Sequence, residues 1–170
     1  MAKNLMRRYN TQEEYDNDIC SLPSDVLSVI LENDKVNYGV ETKYVIINKG
    51  NIDEHIYIFS DGIIPKSYFK ERTDIETVEI GCGIETIDNE SFYLCNALQT
   101  VIVHGNINLI GDFAFYGSEM LTRMDYYGTK TPSNRGGCGN NWKPNSLKTI
   151  NVKKDVNFSR ICGTNLNKVL

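Results

Sequence analysis

The segments Ile75-Glu76-Thr77-Val78-Glu79-Ile80 and Leu98-Gln99-Thr100-Val101-Ile102-Val103 carry the same pattern, one step of 23 residues apart. Each begins with an apolar residue and ends in four alternating positions rich in β-branched side chains. That alternation is typical of a short strand with one buried face. A third copy, residues 121–126, follows after the same step.

The repeat extends beyond the strands. Five apolar positions recur in phase over three copies: Ile64, Ile87 and Ile110; Phe69, Phe92 and Phe115; Ile75, Leu98 and Leu121; Val78, Val101 and Met124; Ile80, Val103 and Tyr126. A unit of this size cannot bury its own apolar face, whereas stacked copies bury a continuous core. The sequence therefore predicts a solenoid in which each landmark lies on its counterpart one layer away.

A fourth strand is displaced. Residues 147–152 repeat the pattern, but Leu121 and Leu147 are 26 residues apart. The segment between them has lost the Ile and Phe landmarks and gained Gly and Pro, so we interpret residues 127–146 as an insertion. Residues 166–169 resemble another strand start, which predicts a degenerate C-terminal cap.

Residues 87–101 and 110–117 resemble the BspA-type leucine-rich repeat, whose unit runs approximately I-G-x-x-A-F-x-x-C-x-x-L-x-x-V-x-I. The second segment keeps the I-G-x-x-A-F portion, and the first departs from it at Asp88 and Ser91. The resemblance implies a leucine-rich-repeat solenoid that serves as a non-catalytic recognition or assembly module. Such repeats occur on bacterial surfaces and in virion proteins of tailed phages, including crAss-like phages.

Residues 1–63 do not repeat, and we interpret them as a small N-terminal α+β module that anchors the protein in a larger assembly. Thr11 and Glu14 fit a capping box, which predicts a helix to Cys20. Four strands are expected after it, and residues 1–10 show no structural signal. The fold class is thus α+β, with the solenoid over residues 64–170. The predicted strands are 26–31 and 36–38, which form a hairpin, followed by 44–48 and 55–59.

Charge and hydropathy limit the function. The 170 residues carry a net charge of −4, and no apolar run of about 18 residues exists, so the sequence predicts no membrane span. Residues 1–126 hold 10 Lys and Arg against 21 Asp and Glu, whereas residues 127–170 hold 8 against one. This division does not favour nucleic acid as a partner. The basic end favours an acidic partner, which includes a neighbouring copy in a homo-oligomer, although a solvated surface explains it equally well.

The sequence offers no constellation for catalysis, a cofactor or a metal. Asp53-Glu54-His55 fits a solvated turn better than a metal site, and Cys95 fits a small buried residue of the repeat better than a nucleophile. The five cysteines are an odd number without a secretion signal, which favours reduced thiols. We expect none of them to be nucleophilic.

The remaining candidates are protein-binding surfaces. One is formed by outward positions of the strands, and the other by the insertion and its aromatic and basic residues. The competing interpretations are a solvated sheet face, and a Trp142 that folds back over the open end of the solenoid. The candidate residues are Thr77, Glu79, Thr100, Ile102, Arg123 and Asp125 on the strands, and Tyr126, Tyr127, Lys130, Arg135, Trp142 and Lys143 in or beside the insertion.

These features predict a non-enzymatic protein-binding module, with other virion components as its partners. The absence of an export signal favours a phage structural or attachment component that assembles in the host cytoplasm and resides in the virion. The alternative is a bacterial surface adhesin that lacks its leader in this sequence and binds host protein or glycan.

Overall fold

The structure is a computed structural model that describes residues 6–9, 27–30, 43–49, 54–59, 61–132 and 138–170. The chain divides into two compact units, Met1–Thr42 and Lys43–Leu170. Within the described ranges the regular structure consists of strands, and no helix occurs there.

In the first unit, β1 (Met6–Tyr9) pairs in parallel with β2 (Leu27–Ile30). The sequence shows no structural signal over residues 1–10, because the partner of β1 lies far along the chain, where a local pattern cannot reveal it. β2 lies within the predicted strand 26–31 but pairs with β1. The predicted helix to Cys20 and the predicted hairpin partner 36–38 lie outside the described residues.

The second unit contains a long sheet and a short sheet. The strands of the long sheet are β3 (Tyr44–Asn48), β4 (Glu54–Ile58), β6 (Thr77–Ile80), β8 (Thr100–Val103), β10 (Arg123–Tyr126), β11 (Thr149–Val152), β12 (Arg160–Ile161) and β13 (Thr164–Lys168). The short sheet contains β5 (Ile63–Ile64), β7 (Thr86–Ile87) and β9 (Leu109–Ile110). Together they form a β-solenoid of about four turns.

The long sheet runs in the order β12-β13-β11-β10-β8-β6-β3-β4. Strands β6, β8 and β10 pair in parallel, with Thr77 opposite Thr100 and Thr100 opposite Arg123, which is the predicted 23-residue step. Asp125 of β10 lies opposite Asn151 of β11, so the displaced fourth strand continues the same sheet. This confirms the predicted solenoid and its register.

Strands β3 and β4 confirm the two strands predicted near residues 44–48 and 55–59. They form an antiparallel hairpin, and β3 also pairs antiparallel with β6 of the solenoid. Because the hairpin shares a sheet with the repeats, the division between the compact units falls after Thr42. The division that the sequence predicts after residue 63, where the repeat begins, concerns the repeats themselves and stays a prediction.

The core consists of the predicted columns. Phe69, Phe92 and Phe115 are buried and stacked, with ring centroids 5.0 and 5.1 Å apart. Leu98 and Leu121 are fully buried in a neighbouring column. The backbone follows the same ladder, since the amides of Phe69 and Phe92 donate to the carbonyls of Ser91 and Ala114 one coil further on, at 2.9 and 2.8 Å.

The segment interpreted as an insertion is in large part a regular fourth coil. Cys138 forms a parallel bridge with Ile110, and so occupies the Ile position of the repeat. The amide of Phe115 donates to the carbonyl of Trp142 at 2.6 Å, and the two rings meet edge to face at 6.4 Å. Cys138 therefore replaces the Ile landmark, whereas Trp142, in the backbone register of Ala114, supplies an aromatic ring from one position before the Phe landmark. The additional residues lie before Cys138.

The same two positions of each coil adopt a left-handed backbone. Ser67, Glu90 and Phe113, one step apart, have φ near 57°, and Glu71 and Leu94 have φ of 60° and 55°. The third coil places Gly117 at the second position, with φ 76°. A Cβ on Gly117 would meet Leu94 Cδ2 at very short range, so stacking as well as backbone strain requires glycine there.

Cys138 and Cys162 form a disulfide, with Cα atoms 5.6 Å apart. The expectation that all five thiols are reduced is thereby corrected for this pair. The sequence did not reveal it because the two residues are 24 positions apart and meet only when the fourth coil and the β12–β13 hairpin are stacked. Of the other described cysteines, Cys95 is a buried thiol and Cys82 is half-buried.

Truncation of the aromatic column tests the packing. Phe92→Ala removes the middle ring between Phe69 and Phe115, and we expect a loss of about 3–5 kcal/mol in the free energy of unfolding, as large-to-small core changes produce. Denaturant unfolding followed by the fluorescence of Trp142, the one tryptophan, measures it. Tyr116→Ala, at a ring that is 42% exposed, is the control and should cost much less. Equal losses of stability in Phe92→Ala and Tyr116→Ala would show that the buried column contributes no more than an exposed ring.

Removal of the disulfide tests the C-terminal cap. We expect Cys162→Ser to lower the free energy of unfolding by about 2–4 kcal/mol, because the closed loop restricts the unfolded chain. Thermal unfolding with and without a thiol reductant checks the result. Wild type should lose its advantage when reduced, Cys162→Ser should not respond, and the control Cys82→Ser should respond as wild type does. A wild-type midpoint unaffected by reductant would argue against the disulfide.

Candidate functional site: the outward face of the long sheet

The outward face of the long sheet consists of alternate side chains of five neighbouring strands. Parallel pairing places equivalent residues side by side in two columns across the sheet. The first column is Thr77, Thr100, Arg123, Thr149 and Asn165, and the second is Glu79, Ile102, Asp125, Asn151 and Asn167. The structure thus brings the six predicted strand residues together on one face. Their role in binding stays a prediction.

A hydrogen-bonded ladder fixes the second column. Asp125 Oδ2 accepts from Arg123 Nη2 at 2.6 Å and Nε at 2.9 Å. Its Oδ1 accepts from Asn151 Nδ2 at 2.7 Å, and Asn151 Oδ1 accepts from Asn167 Nδ2 at 3.1 Å. Four side chains on three strands are therefore held in one arrangement.

The Asp125 carboxylate is only 2% exposed although it lies on the outward face. Its hydrogen bonds provide what burial of a charged group requires. The Asp125 carboxylate in turn raises the pKa of Arg123, first through their hydrogen bond and then through its charge. Arg123 therefore stays cationic, and its exposed side chain is held against the sheet.

A third row continues the outward face beyond the strand ends. Glu79 Oε1 lies 2.8 Å from Nε2 of His104, whose ring stacks on Tyr127 with centroids 5.7 Å apart. Lys153 Nζ lies over the Tyr127 ring, 5.9 Å from its centroid, in a cation–π contact. Sequence reasoning missed His104, Lys153 and Asn167. The 23-residue step from His104 to Tyr127 was the one available signal for the first.

Ile102 is an apolar residue of the outward face, on the second of its five strands. It lies in register between Glu79 and Asp125 and is half-buried. Protein-binding patches combine apolar residues with polar ones around them. Ile102, between Glu79 and Asp125, is therefore a candidate protein contact.

The predicted insertion residues do not form one surface. Tyr126 is 2% exposed because it occupies the inward phase of β10, and burial raises its pKa to about 12. Its hydroxyl donates to the Lys130 carbonyl at 2.6 Å and accepts from the Ile107 amide at 3.2 Å. Trp142 is 5% exposed against Phe115. The expectation that these rings present exposed area is corrected, since both complete the core.

The other members of that set lie apart. Tyr127 belongs to the outward face, and Lys130 is exposed. Lys143 Nζ donates to the Leu147 carbonyl at 2.7 Å, and burial, followed by the charge of Lys148, lowers its pKa. Arg135 lies outside the described residues.

The described residues include candidates for a nucleophile and for metal ligands, which were considered above from the sequence. Burial raises the pKa of the Cys95 thiol to about 12, which keeps it protonated and unsuited to nucleophilic attack. Over the described ranges, no group of three or more His, Cys, Asp and Glu is placed to hold a metal ion, and no helix could cross a bilayer. The side chains of Asp53, Glu54 and His55 lie outside the description.

Comparison with known protein families matches residues 62–158 to the BspA type Leucine rich repeat region (6 copies). This match covers more than half of the chain, so the protein belongs to the BspA-type leucine-rich-repeat family. Repeats of this kind are typically non-enzymatic and mediate protein–protein binding. Searches of curated proteins and of solved structures found no significant match.

The position of Trp142 predicts a structural role for that residue. Because its ring covers Phe115 and is buried, we expect Trp142→Ala to lower the free energy of unfolding by about 3–5 kcal/mol. Denaturant unfolding followed by circular dichroism measures this without the tryptophan. Trp142→Phe, which restores an aromatic ring, should recover most of the loss. A Trp142→Ala variant as stable as wild type would show that the ring does not close the column.

Proposed function

We propose that the chain is a non-enzymatic protein-binding module of a larger assembly and that the outward face of the long sheet contacts the partner. The observation that carries this proposal is the ladder of Arg123, Asp125, Asn151 and Asn167 beside Ile102. A surface whose polar side chains are already ordered loses little conformational entropy on binding, which favours affinity.

We further propose a tailed-phage virion, of the crAss-like kind, as the assembly, in which the chain is a structural or attachment component and residues 1–63 contribute the anchor. The resemblance of residues 110–117 to repeats found in such virion proteins supports this setting. The Cys138–Cys162 disulfide is compatible with it, since disulfides persist on virion and cell surfaces. The same disulfide favours the second candidate, a bacterial surface adhesin that binds host protein or glycan.

A charge placed at Ile102 on the outward face tests the binding role. Ile102→Arg should abolish capture of the partner proteins that immobilised wild type retains, because a guanidinium would be buried against the partner in place of an apolar side chain. Met120→Arg is the control, since Met120 is 53% exposed and lies outside the two columns. Quantitative mass spectrometry of the retained proteins is the measurement. Equal retention by both variants would place the binding surface elsewhere.

Antibodies against the chain distinguish the two settings. Labelling of purified phage particles supports the virion component. Labelling of intact bacterial cells, without labelling of particles, supports the adhesin and overturns the virion proposal.

A further inference from the structure

Two oppositely charged surfaces lie at the C-terminal end of the long sheet and beside the short sheet, and Lys153 of the first also borders the outward face. The basic end consists of cations on and around β11, β12 and β13. Four of them are exposed and Lys153 is half-buried: Lys148, Lys153, Lys154, Arg160 and Lys168. Asp155 is the one acidic residue within residues 148–168. None of these five cations belongs to an ion pair within the part of the chain that the structure describes.

The acidic flank lies beside the short sheet. It consists of Asp61, Glu85, Asp88 and Asp112, which the parallel register of β5, β7 and β9 brings onto adjacent coils. Residues 61–64, 85–88 and 108–112 contain no Lys or Arg, and Lys66 on the first coil marks the border of the flank. Among the described ion pairs, none includes these four carboxylates.

Hydrogen bonds hold the flank's carboxylates in place. Asp61 and Asp88 accept from the amides of Ile63 and Asn89 at 3.0 and 2.7 Å. Glu85 accepts from Asn108 Nδ2 at 3.0 Å. All of these donors are neutral, so the negative charges remain uncompensated and ordered.

Each surface also exposes an apolar side chain among its charges. On the basic end this residue is Val169, which is 49% exposed and follows Lys168 directly. On the acidic flank it is Ile63, which is 37% exposed at the outward position of β5. The two surfaces thus match in charge and in the presence of an apolar centre, as two halves of an interface do.

We propose that the basic end of one copy binds the acidic flank of a second copy, with Val169 placed against Ile63. The inference rests on the proposed protein-binding function and names the partner as the chain itself. Because the two surfaces differ, the contact is heterologous, and its repetition generates an open chain of subunits or a closed ring. Each copy carries its own outward face, so an assembly of this kind would present several outward faces in a row.

Sedimentation of the full chain tests the proposal. Since charges at an interface rim are screened by salt, wild type should form oligomers at an ionic strength of about 0.02 M and dissociate to monomers at about 0.5 M. The mass should also rise with protein concentration at low salt. A wild type that remains monomeric at low salt at every concentration would overturn the proposal, and capture of another protein by Ile102-dependent binding would still leave the proposed function standing.

Charge reversal on each of the two surfaces is the decisive experiment. Lys154→Glu with Arg160→Glu, two exposed cations that do not belong to the outward face, makes the basic end acidic, and Glu85→Lys with Thr86→Lys makes the acidic flank basic. Each double variant should be monomeric alone, because its two surfaces now repel. An equimolar mixture should oligomerise again, since each variant supplies the surface that the other lacks.

Glu119→Lys, an exposed reversal outside both surfaces, should associate as wild type does. Circular dichroism of every variant separates loss of contact from loss of fold, and the mixture recovers association only if both variants are folded. A mixture that stays monomeric would overturn the proposal. Binding of duplex DNA to the basic end at physiological salt, with no self-association, would also overturn it and identify the surface as a nucleic-acid site.

Discussion

The stacking of equivalent side chains one coil apart is the constraint on which the structure depends. Neighbouring strands in a sheet lie about 4.7–4.9 Å apart, and the Phe69, Phe92 and Phe115 rings follow that spacing at 5.0 and 5.1 Å. A side chain that differs in size from its counterparts disturbs two coils. The same ladder joins polar groups, since Ser118 Oγ donates to the Phe92 carbonyl and accepts from the Cys95 amide.

This constraint explains how far the sequence could predict the fold. Recurrence of Phe and Leu at a fixed step determines the stacking, so the columns and the register could be predicted from the sequence. The fourth coil was not predictable, because Cys138 replaces the Ile landmark and the ring of Trp142 comes from the register position of Ala114 rather than from that of Phe115. The β1–β2 pair lay beyond prediction for a related reason, since parallel pairing between distant segments leaves no local pattern.

The candidate site, too, could be predicted only in part from the sequence. Period-2 alternation was enough to place Thr100 and Ile102 on one face of the sheet. It could not predict that Asp125, at an outward position, is buried, because burial there depends on Arg123 beside it and on Asn151 on the next strand. Composition suggested that Tyr126 and Trp142 anchor a partner, but tertiary packing assigns both rings to the core.

The solenoid therefore separates two kinds of surface according to how they are held. The outward face is fixed from within the sheet, because Arg123 on the same strand and Asn151 on the next strand donate to Asp125 and leave little freedom to adapt to different partners. The basic end and the acidic flank instead display charges whose hydrogen-bond partners are backbone or neutral groups, so their electrostatic attraction remains available to another molecule. A rigid surface favours selectivity and an uncompensated charge favours rapid encounter, and parallel coils allow one small chain to provide both.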